Sequence, residues 1–111
     1  MIEQRDLLLV PFPFSDQSGK KVRPVIVVSN NAFNQCSEEM LVAAVTSNIT
    51  KDRYTILLSK NEVEEGVLHH DCCIKVENLL KVNKRLIIKK IGKVKPAAFQ
   101  KVIEVLNSII K

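Results

Sequence analysis

The chain has 111 residues, 46% of them hydrophobic, and carries 17 Lys and Arg against 12 Asp and Glu, for a net charge of +5 and a pI near 9.2. That length suits one domain, spanning residues 1–111, with a core of its own, and the apolar content excludes a disordered chain. No apolar run approaches the about 20 residues that a membrane-crossing helix needs, and residues 1–6 carry acids ahead of no long apolar region, so neither a leader peptide nor a membrane partner is expected.

Aromatic residues make up only 5%, with no Trp, so the core must be built from Val, Ile and Leu, which favours a β-rich body. The three cysteines, Cys36, Cys72 and Cys73, are odd in number and include a vicinal pair, a poor disulfide framework. Reduced thiols in a cytoplasmic protein are the simplest account. A zinc site made with His69 and His70 lacks the paired spacing of such sites, so no metal or other cofactor is expected. Between Lys75 and Lys101 stand nine cations (Lys75, Lys81, Lys84, Arg85, Lys89, Lys90, Lys93, Lys95 and Lys101) against one acid, Glu77. Such a third either attracts a polyanion or an acidic protein, or is a solvated lysine-rich surface.

In chain order, residues 5–12 read as a first strand whose run Leu7-Leu8-Leu9-Val10 is buried on both sides and ends at Pro11 and Pro13. Residues 15–21 are polar and turn-rich, a loop expected to form a lid or wall. A second strand follows, with Val25, Ile26, Val27 and Val28 as its β-branched run, Arg23 at its mouth and Ser29-Asn30-Asn31 as its stop. Arg23 is then either a solvating cation or a clamp for phosphate or carboxylate. An irregular piece carries Phe33 and Cys36, and residues 40–47 form a third strand. Residues 54–59 make a fourth, residues 60–66 a charged turn, and residues 72–77 a strand that puts Lys75 and Glu77 on one face, as a surface ion pair or as part of a site. Residues 85–91 make a further strand with a bulge or barrel edge. From Pro96 onward, Phe99, Val102, Ile103, Leu106, Ile109 and Ile110 recur at helical spacing, and this helix docks on the sheet or on a second copy. About six strands and one helix predict a mainly β fold, a small antiparallel barrel with a C-terminal α-helix.

The signatures of serine hydrolases, P-loop proteins, zinc proteases and dinucleotide binders are absent. The polar groups that strand ends could bring together are Arg23, Thr46, Ser47, Lys75 and Glu77, with His69 and His70 in a preceding loop or simply exposed in it. Metal-free RNA cleavage requires such a set: a base for the ribose 2′-hydroxyl, a stabiliser for the charged phosphorane, and an acid for the departing 5′-oxygen. Glu77 suits the base, Arg23 the stabiliser or proton donor, and Thr46 a donor to a phosphate oxygen.

The stretch Lys21-Val22-Arg23-Pro24-Val25-Ile26-Val27-Val28-Ser29, followed by Val42-Ala43-Ala44-Val45-Thr46-Ser47-Asn48, resembles the two signature strands of the MazF/PemK toxin family. Leu8-Leu9-Val10-Pro11-Phe12 and Cys73-Ile74-Lys75-Val76-Glu77-Asn78 fall where that family has strands. The resemblance implies an SH3-like or CcdB-like barrel and the toxin of a type II toxin–antitoxin system. It further implies a metal-independent, sequence-specific endoribonuclease that cuts single-stranded RNA to a 2′,3′-cyclic phosphate and a 5′-hydroxyl, forms a homodimer and is neutralised by an acidic antitoxin. It places catalysis on Arg23 and Thr46, with Lys75 and Glu77 where the PemK branch has Arg-x-Asp. Ser18, Lys20, Lys21, Ser47 and Lys75 are expected to bind substrate. Two other classes stand beside this one: a poison directed at gyrase or another protein, and a non-catalytic RNA-binding barrel, which the few aromatic residues disfavour.

Overall fold

Residues 7–10 illustrate how the sheet arises: successive side chains point to opposite faces of a strand, so an unbroken apolar run needs cover on both sides. A computed structural model describes residues 1–12 and 21–111. Among these, seven strands, β1 (Asp6–Phe12), β2 (Lys21–Val27), β3 (Glu39–Thr46), β4 (Thr55–Leu58), β5 (Val63–Glu64), β6 (Cys72–Asn83) and β7 (Lys89–Val94), form one sheet in the order β4-β6-β3-β2-β1-β7-β5. Every pairing is antiparallel, and the sheet curls into a half-barrel. The mainly β architecture with a C-terminal helix is as expected.

Each face has its own core. Leu7, Ile26, Ala43, Val45 and Ile74 lie under the C-terminal helix α2 (Pro96–Ile110), which contributes Ala98, Phe99 and Val102. Burying Phe99 and Val102 is worth about 2 kcal/mol each by area. The helix thus docks on its own sheet, leaving Ile109 and Ile110 exposed at its end. Leu8, Val10, Val25, Val27, Met40 and Val42 fill the opposite face, covered by Ile2, Leu80, Val82 and Ile87.

Several elements depart from their expected bounds. The piece with Phe33 and Cys36 is a short helix, α1 (Asn31–Cys36), because the Asn30 side chain accepts from the Phe33 N–H at 2.8 Å and caps it. The charged turn at 60–66 contains a 3₁₀ turn, Lys60–Glu62, closed by a reciprocal Ser59–Glu62 capping box, and then β5. The strand expected to stop at Glu77 continues to Asn83. Its pairing with β3 jumps from Ala44↔Lys75 to Ala43↔Leu79, so residues 76–78 bulge and the alternation that would reveal the longer strand is interrupted. The strand expected over 85–91 begins only at Lys89, since Lys84–Leu86 turns as a 3₁₀ segment capped by Asn83. The irregularity of β7 falls between Leu7↔Gly92 and Leu8↔Lys90, which leaves Ile91 as the extra residue.

β1 and β7 are also clamped electrostatically. Asp6 is fully buried and lies 3.3 Å from Lys90 Nζ and 3.9 Å from that of the buried Lys93, which also pairs with Glu3. No described helix is long and apolar enough to cross a membrane.

Candidate active site

β2 and β3 pair only over Val25↔Ala44, Ile26↔Ala43 and Val27↔Val42. Continuing that register by two residues would set Arg23 opposite Thr46, but pairing stops short, and Pro24 has no N–H to add to a ladder. A cleft of about 310 Å³ opens there, lined by Val22, Arg23, Pro24, Val45, Thr46 and Ser47. The same proline that marks the strand in the sequence therefore helps keep its mouth open.

Arg23 is exposed and Thr46 half-buried. Thr46 Oγ1 accepts from the backbone N–H of Asn48 at 3.2 Å, which engages a lone pair and leaves the hydroxyl proton to donate elsewhere. An always-charged guanidinium facing a hydroxyl donor across a solvent-open cleft is an arrangement that a phosphodiester fits. Antiparallel register sets Thr46 opposite Cys73 and Ala44 opposite Lys75, so Thr46, Cys73 and Lys75 share the face that carries Val25 and Val42, away from α2.

Lys75 and Glu77 do not line the cleft. Lys75 is half-buried and pairs with Asp52 at 3.1 Å rather than with Glu77, which is exposed in the bulge of β6. The hydrogen bonds that Asp52 accepts from Lys75 and from Thr50 hold its carboxyl below the usual carboxylate range. Asp52 escaped the sequence reading; its only trace there is the turn-like spacing of Thr50 and Asp52, which names no partner. Ser18 and Lys20 lie outside the described residues, as does the expected lid over 15–21 except for its last residue. Lys21 opens β2 opposite Phe12. Among the described residues no three His, Cys, Asp or Glu side chains gather to hold a metal ion. Cys36, Cys72 and Cys73 are free thiols.

A larger cavity of about 520 Å³ adjoins the cleft, sharing Pro24, Val45 and Ser47 with it. Leu7 and Leu9 of β1, the segment 67–72 and the start of β7 enclose the rest. His69 and His70 are thus exposed, as one reading of the sequence had them, yet they stand in the cavity wall.

Fold and cleft together define a small β half-barrel with an arginine and a threonine at the open ends of neighbouring strands. The family of PemK-like, MazF-like toxins of type II toxin–antitoxin systems matches residues 3–110, and the chain belongs to it. Endoribonuclease MazF of Staphylococcus epidermidis is 30% identical over 98% of this chain and 88% of its own length. Among solved structures, MazE-MazF from Deinococcus radiodurans superposes with a TM-score of 0.80 at 17% identity, covering 98% of this chain and 95% of that one. An endoribonuclease in complex with its cognate antitoxin from a mycobacterial species gives 0.79 at 16% identity, covering 97% and 93%.

Proposed function

We propose that residues 1–111 act as one toxin domain, a metal-independent endoribonuclease that cuts single-stranded RNA at short sequences. The observation that supports it best is the cleft between Arg23 and Thr46, in a chain 30% identical to an endoribonuclease. In this reading a phosphate of the strand enters the cleft. The ribose 2′-oxygen loses its proton, attacks phosphorus and displaces the 5′-oxygen, which takes up a proton, leaving a 2′,3′-cyclic phosphate and a 5′-hydroxyl. Arg23 neutralises the charge that builds on the phosphorane oxygens, or gives the leaving oxygen its proton, and Thr46 donates to a phosphate oxygen. Glu77 serves as the base only if the strand reaches the bulge of β6; Lys75 and Ser47 hold flanking phosphates, with Ser18, Lys20 and Lys21 on the loop side.

The partners in this reading are single-stranded RNA, an acidic cognate antitoxin suited to the net charge of +5, and a second copy of the chain. Three free thiols fit a cytoplasmic setting. Purified protein incubated with mixed-sequence single-stranded RNA in EDTA should cut it, and Arg23→Ala should lose at least a hundredfold in rate, the scale of one removed transition-state donor. No cutting by either protein, or equal cutting by both, would refute the assignment. Toxicity that survives Arg23→Ala would point instead to a poison aimed at a protein.

A further inference from the structure

The loop between β3 and β4 starts at the hydroxyl of Thr46, and its residues 47–53 are all exposed. With no buried apolar side chain to anchor it, the loop is held in place by polar ties. Those ties converge on β6. The buried Cys73, opposite Thr46 in the ladder, donates its thiol proton to the Thr50 carbonyl at 3.7 Å. Two residues on, and on the same face, Lys75 donates to Asp52 Oδ2 at 3.1 Å, and the Thr50 hydroxyl donates to that same oxygen at 3.1 Å. Where β4 begins, the Asp52 carbonyl accepts from the Thr55 N–H at 3.2 Å and the Tyr54 carbonyl from the Val76 N–H at 3.1 Å. At the other end of the loop, the Asn48 N–H rests on Thr46 Oγ1. Asp52 thus joins its own loop, through Thr50, to the strand that pairs with Thr46, through Lys75.

We propose that Asp52 is a positioning residue for RNA cleavage: it fixes the loop on β6, so that the Asn48 N–H stays on Thr46 Oγ1 and the Thr46 proton is aimed into the cleft. This assignment rests on the endoribonuclease reading and adds to it a residue that touches neither the phosphate nor the reacting atoms. A threonine hydroxyl turns about its C–O bond, and a donor held on one lone pair restricts the directions left to its proton. Thr46 is the last residue of β3, so the chain beyond it leaves the ladder and keeps its place only through the loop's own ties. An exposed pair such as Lys75–Asp52 stabilises a fold little. Its effect here is geometric, and misplacing a reacting group by about 1 Å is enough to lower a rate about a hundredfold. The lowered pKa of Asp52 agrees with this part, since the carboxylate that accepts both bonds is the charged form. Were Asp52 there only to offset Lys75, the Thr50 hydroxyl would have no bearing on the rate.

The test measures kcat and KM in EDTA on one single-stranded RNA chosen from those the wild type cuts. The variants are Thr50→Val, Asp52→Ala and Asp52→Asn, together with the first two in a Thr46→Ala background. Thr50→Val removes one hydroxyl from an exposed position and leaves the charges of Asp52 and Lys75 as they are. It should lower kcat about tenfold with KM within twofold of the wild type. Asp52→Ala should lower kcat at least as much while KM falls, because Lys75 is released. Asp52→Asn keeps an acceptor oxygen for Thr50 and should recover most of kcat. Without Thr46 neither Thr50→Val nor Asp52→Ala should remove more than a further twofold, since the group they position is gone. Values of kcat within twofold of the wild type for Thr50→Val and Asp52→Ala would overturn the proposal and leave the enzyme standing. So would a loss confined to Asp52→Ala, or one as large in Asp52→Asn as in Asp52→Ala, either of which would assign Asp52 to charge balance alone. A tenfold loss that persists in the Thr46→Ala background would overturn it too, because the loop would then act by another route. A wild type that cuts no RNA, or Arg23→Ala that cuts as fast as the wild type, would overturn the endoribonuclease reading and this assignment with it.

Discussion

Arg23 sits where the ladder between β2 and β3 stops, in the wall of the cleft. The motif around it was legible from residue types alone, since a cation followed by proline and four β-branched residues, which fit a pleated sheet better than a helix, reads as a strand mouth. The tie between Lys75 and Asp52 was not legible, because 23 positions separate them and β4, a 3₁₀ turn and β5 intervene. That tie has a consequence for binding. The hydrogen bonds from Lys75 and Thr50 lower the pKa of Asp52, so its carboxylate is charged at neutral pH and available to the pair. Lys75 then meets a phosphate with part of its charge already offset by Asp52. Asp52→Asn should therefore tighten RNA binding about two- to fivefold at pH 7, the scale of an exposed ion pair. Unchanged or weaker binding in an anisotropy titration would rule out this competition.

At the scale of elements, β7 and the segment before β6 meet more closely than any pattern of hydrophobicity reveals. A Cβ on Gly66 would lie 2.2 Å from the carbonyl oxygen of Ile91, so only glycine allows the chain to cross the bulge of β7 there. This crossing carries residues 67–71 over the cavity. Gly66→Ala should destabilise the fold by about 2 kcal/mol in urea unfolding, as overpacking against backbone does; a loss under 0.5 kcal/mol would mean that the crossing is not tight. The helix α2 is the opposite case. Its stripe was plain in the sequence from Phe99 and Val102 at a spacing of three, because a helix repeats its face locally, whereas a bulged strand such as β6 loses its period where the bulge falls.

For the whole molecule, the basic third at 75–101 is less positive than its composition. Lys75 pairs with Asp52, Lys81 with Glu39, Lys90 with Glu65 and Asp6, Lys93 with Glu3, and Lys101 comes within 3.9 Å of Glu62. Lys90 accordingly holds its proton above the usual lysine range, chiefly through Glu65. Acids from other parts of the chain thus discharge cations that stand together in sequence. The RNA affinity should then fall with salt at a slope of about −2 to −3 in logarithmic coordinates, as for three or four phosphate contacts on a single strand. A slope near −6 would mean that all nine cations act together. The sequence by itself determined a mainly β chain closed by one helix, because strand and helix periods are local properties, and its resemblance to a known family pointed to Arg23 and Thr46 among the polar groups at strand ends. Only the tertiary structure decided that Pro24 stands beside an open cleft, that Lys75 answers to Asp52 rather than Glu77, and that His69 and His70 wall a cavity, because these depend on register, bulges and loop crossings between distant segments.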